Sequence, residues 1–438
     1  MVCRLIYRMR GVAAILVASL GATVAATATA AADAHTNRID IVTPAAPELA
    51  EYGPHPIGVR TLQLIDRGRA DILNTREGEP TARYDRPLTV EVWYPASLAP
   101  GQKPGGEYQG VITRDPAVVV TLRGRAVRNA APLANEGGYP LIIVSHGYPG
   151  DRYLMSHLCE NLAGKGYVVA SISHKDSTYD DQKAFGSTLY NRPLDQLFVL
   201  NDLDRVGRKG SGEFLEGLVD ASRAGVVGYS MGGYGVVNVI GGGFRPGVES
   251  RPFAPPNRLL AERTAAHPEF AKSLDPRIKA AIAIAPWGMT EGAWDVEGLK
   301  SIRTPVLFVG GSADDVSGYE KGTRALYEGA VNTDRYLLTF LNAGHNAAAP
   351  IPAPVETFAS VEGRPAGFSH YADAVWDTTR MNNILNHFAT AFFGTRLKGE
   401  TQLQAYLDLA PQGREGAWKG FKRRTAVGLV LEHLSPAK

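Results

Sequence analysis

Cysteine is nearly absent from this chain: only Cys3 and Cys159 occur in 438 residues. A disulfide framework is thereby ruled out, and so is a cysteine-rich metal site. Cys159 lies in an apolar helical pattern and reads as a small buried side chain. An excess of either charge is missing as well, since 46 Lys and Arg stand against 44 Asp and Glu, a formal +2. No long basic run with interleaved aromatics breaks that balance, which argues against nucleic acid as a partner. There is also no internal repeat and no low-complexity segment. No His, Cys and Asp cluster has metal-ligand spacing, so neither a metal nor an organic cofactor is expected.

The N-terminus has a pattern of its own. Arg4, Arg8, Arg10 and the free amino group precede the apolar "GVAAILVASLGATVAATATA", and small residues then allow cleavage after Ala30, Ala32 or Ala34. That is the build of a secretory signal peptide over 1–34, with no stable membrane insertion after its removal. A polar leader, 35–54, and one domain, 55–438, follow.

Within that domain apolar runs alternate with helical patterns. "GVRTLQLID" (58–66) and "RPLTVEVWYPA" (86–96) alternate as an opening antiparallel hairpin does. "YPLIIVSHG", "GYVVASIS", "AGVVGYS", "IKAAIAIAP", "TPVLFVGG" and "RYLLTFLNAGH" are runs of the kind found in strands buried on both faces. Helical stretches separate several of them, and a broad apolar helical face over 374–392 follows the last. The expected architecture is α/β, with a mostly parallel central sheet and helices on both faces. Residues 97–138, 176–192 and 241–276 interrupt the alternation and are expected to be cap-like insertions, the last of them limiting what enters a site.

The segment "GVVGYSMGGYG" (225–235) carries the chemistry. A buried strand enters a tight turn and leaves it as a helix, which puts Ser230 at the corner with its hydroxyl exposed. The crowded corner explains Gly228, Gly232 and Gly233, and it sets the Met231 amide at a helix N-terminus, where it can donate to a developing oxyanion. A serine hydroxyl needs a base and an acid that orients the base. His345 in "LNAGHN" follows the last strand, and Asp314 or Asp315 in "VLFVGGSADDVSG" follows the one before, giving the chain order Ser, Asp, His. Only one of two adjacent carboxylates can face His345, because side chains leaving a strand alternate in direction. Asp176 is the next candidate acid. His146 reads as structural and His174 as a possible wall of the site; His157, His370 and His387 fall in helical patterns.

"YPLIIVSHGYPG", "LAGKGYVVASISHKDS", "GYSMGG" and "HYADAVWD" resemble the dienelactone-hydrolase-like and platelet-activating-factor-acetylhydrolase-like branch of the α/β-hydrolases. The core is also similar to cutinases and polyester hydrolases through "HGY", "DST", "GYSMGG", "APW" and the D-x-V-S pattern that begins at Asp314. The resemblance implies Ser230 as nucleophile, His345 as base, Asp314 as acid, the Tyr148 and Met231 amides as oxyanion hole, and the Trp287 ring beside the substrate. True dienelactone hydrolases have a cysteine where this chain has Ser230. What the resemblance implies is cleavage of a small-molecule or polymeric carboxylic ester through an acyl-enzyme, in a secreted or periplasmic location. Amide, lactone, thioester or carbon–carbon hydrolysis, or acyl transfer, is the alternative on the same residues.

Overall fold

The computed structural model describes residues 35–408 and 418–437. The expected signal peptide, 1–34, lies outside the described residues. Residues 35–54 lie against the domain: the Ile39 amide donates to Arg123 O at 2.9 Å and the Leu49 amide to His387 Nδ1 at 3.1 Å.

The opening hairpin is β1 (Ile57–Ala70) and β2 (Arg83–Ser97), paired antiparallel as the alternation predicts. The 97–138 interruption holds four short strands, β3 (Gly106–Ile112), β4 (Val119–Gly124), β5 (Val127–Arg128) and β6 (Ala131–Pro132). β3 and β4 form a separate two-stranded sheet. Six strands then run mutually parallel: β7 (Tyr139–Ser145), β8 (Val168–Ser173), β9 (Val219–Tyr229), β10 (Ile278–Ile284), β11 (Val306–Gly311) and β12 (Arg335–Phe340). The sheet order is β13-β12-β11-β10-β9-β7-β8-β2-β1-β5, where β13 (Leu429–Leu434) pairs antiparallel with β12. The half-exposed "LVLEHL" of β13 has no run long enough to announce a strand; pairing with the buried β12 makes it one.

Among the described residues, seven α-helices connect or flank these strands: α1 (Ser156–Gly164), α2 (Phe185–Gly207), α3 (Met231–Val239), α4 (Pro268–Lys272), α5 (Val296–Leu299), α6 (Ala325–Gly329) and α7 (Thr378–Phe393). Successive strand residues enter opposite layers, as the two-residue period requires. Ile142, Val144, Val227, Ile282 and Leu307 pack with Leu158 of α1 and Phe388 of α7. Leu141, Ile143, Val226, Ala281 and Phe308 pack with Val199 of α2 and Val236 of α3.

Two helices differ from the sequence expectation. α2 begins at Phe185 and runs through Pro193, so much of the 176–192 interruption is helical. Pro193 cannot donate to Leu189 O, and the Tyr234 hydroxyl takes that carbonyl instead at 3.2 Å. α7 starts later than 374, because the Asp377 side chain accepts from the Arg380 amide at 2.7 Å and caps it there.

One polar cluster is sealed between the sheet and α2. Asp195 accepts two bonds from Arg86, each 2.9 Å, and lies 3.0 Å from His174 Nδ1, whose Nε2 is 2.8 Å from Ser145 Oγ. Burial would raise the Asp195 carboxyl, but Arg86 and the His174 hydrogen bond outweigh it and hold it well below the usual range. His174 is pressed down to about 3 by burial and the Arg192 charge, against the pull of Asp195. The imidazole is therefore neutral, its Nδ1–H donating to Asp195 and its Nε2 accepting the Ser145 hydroxyl proton.

Burial also holds His157 and His387 at about 3, against an ordinary 6.5. A folded-state pKa below the unfolded one means that the unfolded chain takes up protons the folded chain refuses. Stability should be greatest above about pH 6.5 and fall as the pH drops toward about 3. A urea unfolding midpoint at about pH 5 well below that at about pH 7.5 is expected; equal midpoints would show that these imidazoles titrate alike in both states.

Candidate active site

At the end of β9, Ser230 takes φ 53° and ψ −114°, and α3 begins at the next residue. Three backbone bonds fix it there: Ser230 N–H to Ile284 O at 2.9 Å, and Trp287 N–H and Tyr234 N–H to Ser230 O, each at 3.0 Å. The corner has no room for side chains. A Cβ on Gly228 would lie 2.2 Å from Gly232 O, and one on Gly232 would lie 2.0 Å from Ser145 O. The glycines are what let α3 approach the sheet this closely.

The loops after β11 and β12 meet the serine. His345 Nε2 lies 2.9 Å from Ser230 Oγ, and His345 Nδ1 lies 3.1 Å from each Asp314 oxygen. Asp314 Oδ1 also accepts from the Val316 and Ser317 amides, each at 2.9 Å. Burial alone would raise the Asp314 carboxyl, but the hydrogen bond from His345 and those from the two amides lower it. Asp315 is exposed. With Nδ1–H donating to the carboxylate, Nε2 is left to accept the serine proton, so this chain of groups can generate a nucleophilic oxygen.

Met231 is the first residue of α3, so its N–H belongs to the unpaired first turn. Tyr148 stands in the loop after β7 and lines one cavity of about 770 Å³ together with Ser230 and His345. That loop is braced from below. The buried Arg192 guanidinium donates to His146 O, and to Ser177 Oγ at 2.7 Å, while the His174 amide donates to His146 Nε2 at 3.1 Å. His146 and His174 are thus buried supports, and His174 does not line the cavity. Asp176 is committed to Arg86 at 3.0 Å and to Ser187 at 2.7 Å. The half-buried Trp287 ring meets Phe185 and Tyr234 edge-on at 5.3 and 6.1 Å and is not among the cavity walls.

The walls come from unexpected places. Among the described residues, none of 241–276 lines the cavity; Phe253 of that segment packs behind it on Phe185 at 6.1 Å. The lining comes instead from Arg114, inside the 97–138 insertion, and from residues 365–374. Asn346 ties this last segment to the His345 loop, donating to Ser369 O and Ala372 O at 2.8 Å each and accepting from the Tyr229 hydroxyl at 3.0 Å. Asp373 holds the Gly344 amide at 2.7 Å. Only the "HYADAVWD" stretch marked this wall in the sequence.

A family model described as platelet-activating factor acetylhydrolase, isoform II, matches residues 52–188, and a PET hydrolase-like model matches 128–252. Cutinase est1 of Thermobifida alba is 27% identical over 210 residues, 48% of this chain and 54% of that protein. A bis(hydroxyethyl) terephthalate hydrolase of Streptomyces coelicolor is 25% identical over 241 residues, 55% of this chain and 61% of that protein. The chain thus spans about half the length of the curated relatives it matches. In overall fold it is similar to a ferulic acid esterase from Streptomyces cinnamoneus, with a TM-score of 0.56 at 22% identity over 83% of this chain and 94% of that one. The chain thus has the α/β-hydrolase fold, and parts of its sequence are similar to platelet-activating-factor-acetylhydrolase-like, PET hydrolase-like and cutinase proteins.

Proposed function

We propose that this α/β-hydrolase cleaves carboxylic esters through a covalent acyl-serine, and that it acts outside the cytoplasm, secreted or periplasmic. One observation carries the reading: Ser230 Oγ, on the wall of a roomy cavity, is 2.9 Å from the His345 imidazole, whose other nitrogen is 3.1 Å from a largely buried carboxylate. His345 Nε2 takes the hydroxyl proton as Ser230 Oγ attacks the ester carbonyl. Asp314 keeps the imidazole in the accepting tautomer and stabilises the imidazolium. The Tyr148 and Met231 amides receive the oxyanion. Collapse expels the alcohol, which takes the proton from His345. Water, deprotonated by the same nitrogen, then releases the acid and restores Ser230.

The choice of esters among acyl compounds is supported by the curated relatives, a cutinase and a bis(hydroxyethyl) terephthalate hydrolase. The location is supported by the basic, then apolar, then small-residue pattern over 1–34. Among the described residues no helix is long and apolar enough to cross a membrane.

Purified protein should release nitrophenol from at least one of p-nitrophenyl acetate, butyrate and octanoate. Ser230→Ala should lower kcat by on the order of 10⁵ or more with an unchanged circular dichroism spectrum. Residual turnover above about a few per cent would remove Ser230 from the role of nucleophile. The two aspartates should separate cleanly, with Asp314→Asn costing roughly 10³ to 10⁴ in kcat and Asp315→Asn less than about tenfold. If the Asp315 variant were the crippled one, the assignment of the acid would be off by one residue.

A further inference from the structure

Arg114 is the only lysine or arginine on the wall of the active-site cavity among the described residues. Arg86 and Arg152, also withdrawn from solvent, are each held by a carboxylate, at 2.9 and 3.2 Å. The half-buried Arg114 guanidinium has no such partner among the described residues. The carboxylate next to it in sequence, Asp115, is taken by Arg364 at 2.6 Å. Of the two carboxylates on the cavity wall, Asp373 is occupied by the Gly344, Val375 and Trp376 amides at 2.7, 2.9 and 2.8 Å. The other, Asp315, is exposed beside Asp314.

The position of Arg114 is fixed through its backbone, since its amide donates to the Tyr371 hydroxyl at 3.1 Å. Its charge acts on Tyr148, Tyr371 and His370. His370, bonded to Tyr179 at 2.9 Å, is kept neutral by burial and by the Arg114 charge. The wall therefore includes one residue with a permanent cation and a planar fork of N–H donors, beside a space large enough for more than a short acyl chain.

We propose that Arg114 anchors a carboxylate of the substrate, so that the preferred substrates are esters carrying a second, free carboxylate. The inference rests on the ester-hydrolase reading above. A guanidinium and a carboxylate form paired, charge-assisted hydrogen bonds, and in a partly desolvated cavity that pairing both binds and orients the ester relative to Ser230. The carboxylate can sit on the acyl part, as in a half-ester of a dicarboxylic acid, or on the alcohol part, as in an acylated hydroxy acid. The chemistry of recognition is the same.

Two matched pairs distinguish these sources: p-nitrophenyl butyrate against mono-p-nitrophenyl glutarate for the acyl side, and phenyl acetate against 4-acetoxybenzoate for the alcohol side. The quantity read is the ratio of kcat/KM for the charged ester to that for its neutral partner, each corrected for spontaneous hydrolysis. On one arm the wild-type ratio should exceed that of Arg114→Gln by about tenfold or more. Arg114→Lys, which keeps the charge and loses the fork, should fall between. The wild-type ratio should also shrink as sodium chloride is raised to about 1 M, a test that needs no variant. Because each ratio is taken within one protein, a general loss of activity divides out. Equal ratios for wild type and Arg114→Gln on both arms, or a wild-type ratio indifferent to salt, would overturn the assignment. If the wild type turned over none of the four esters, the ester-hydrolase reading itself would be what failed.

Discussion

The close approach of α3 to the ends of β7 and β10 is the constraint on which the site depends. Gly232 lies so near Ser145 O that a methyl group there would sit 2.0 Å away, and a Cβ on Gly233 would be 2.8 Å from Pro286. In that confined corner Ser230 is held at a positive φ, a strain of about 1–3 kcal/mol that only a rigid surround sustains. The surround is rigid because the strands around it are buried on both faces and locked in parallel register. The same register brings the C-terminal ends of β9, β11 and β12 to one edge, where Ser230, Asp314 and His345 all emerge. This is where open α/β sheets offer their crevice.

Beneath the Tyr148 loop the fold places charge inside the core. Buried ions are costly unless their geometry is good and their remaining lone pairs are used. Asp195 meets that condition with Arg86, Arg69 and His174 around it. The neighbourhood is not fully satisfied, since Asp176 Oδ1, Arg192 Nε and Gln196 Oε1 lack partners among the described atoms. What the cluster provides is direction. An apolar core would leave the His146 and Gly147 carbonyls free to rotate, whereas Arg192 and His174 fix the loop that carries the Tyr148 amide.

Much of this was legible in the residues, for local reasons. Runs such as "YPLIIVS" and "IKAAIAI" announce doubly buried strands, and the glycines around Ser230 announce a corner that tolerates no Cβ. Alternation of side chains after β11 already demanded a choice between Asp314 and Asp315. What stayed hidden depended on partners distant in sequence. Nothing near Pro193 says that Tyr234 will take up the spare Leu189 carbonyl and let the helix pass. β13 exists by virtue of β12. The cavity walls at Arg114 and 365–374 are irregular, with no period to read, and they are fixed by single contacts such as Asn346 to Ala372 O. The Trp287 ring shows the limit of transfer by motif, since its backbone touches Ser230 while its side chain turns to Phe185.

The reacting groups hang from the sheet, whereas the cavity walls at Arg114 and 365–374 hang from loops that add nothing to its ladder. The two parts are therefore exposed to different rates of inheritance. A replacement, insertion or deletion in the wall leaves the strand register and the corner at Ser230 as they were, so lineages can drift in what the cavity admits while the arrangement of Ser230, Asp314 and His345 is passed on intact.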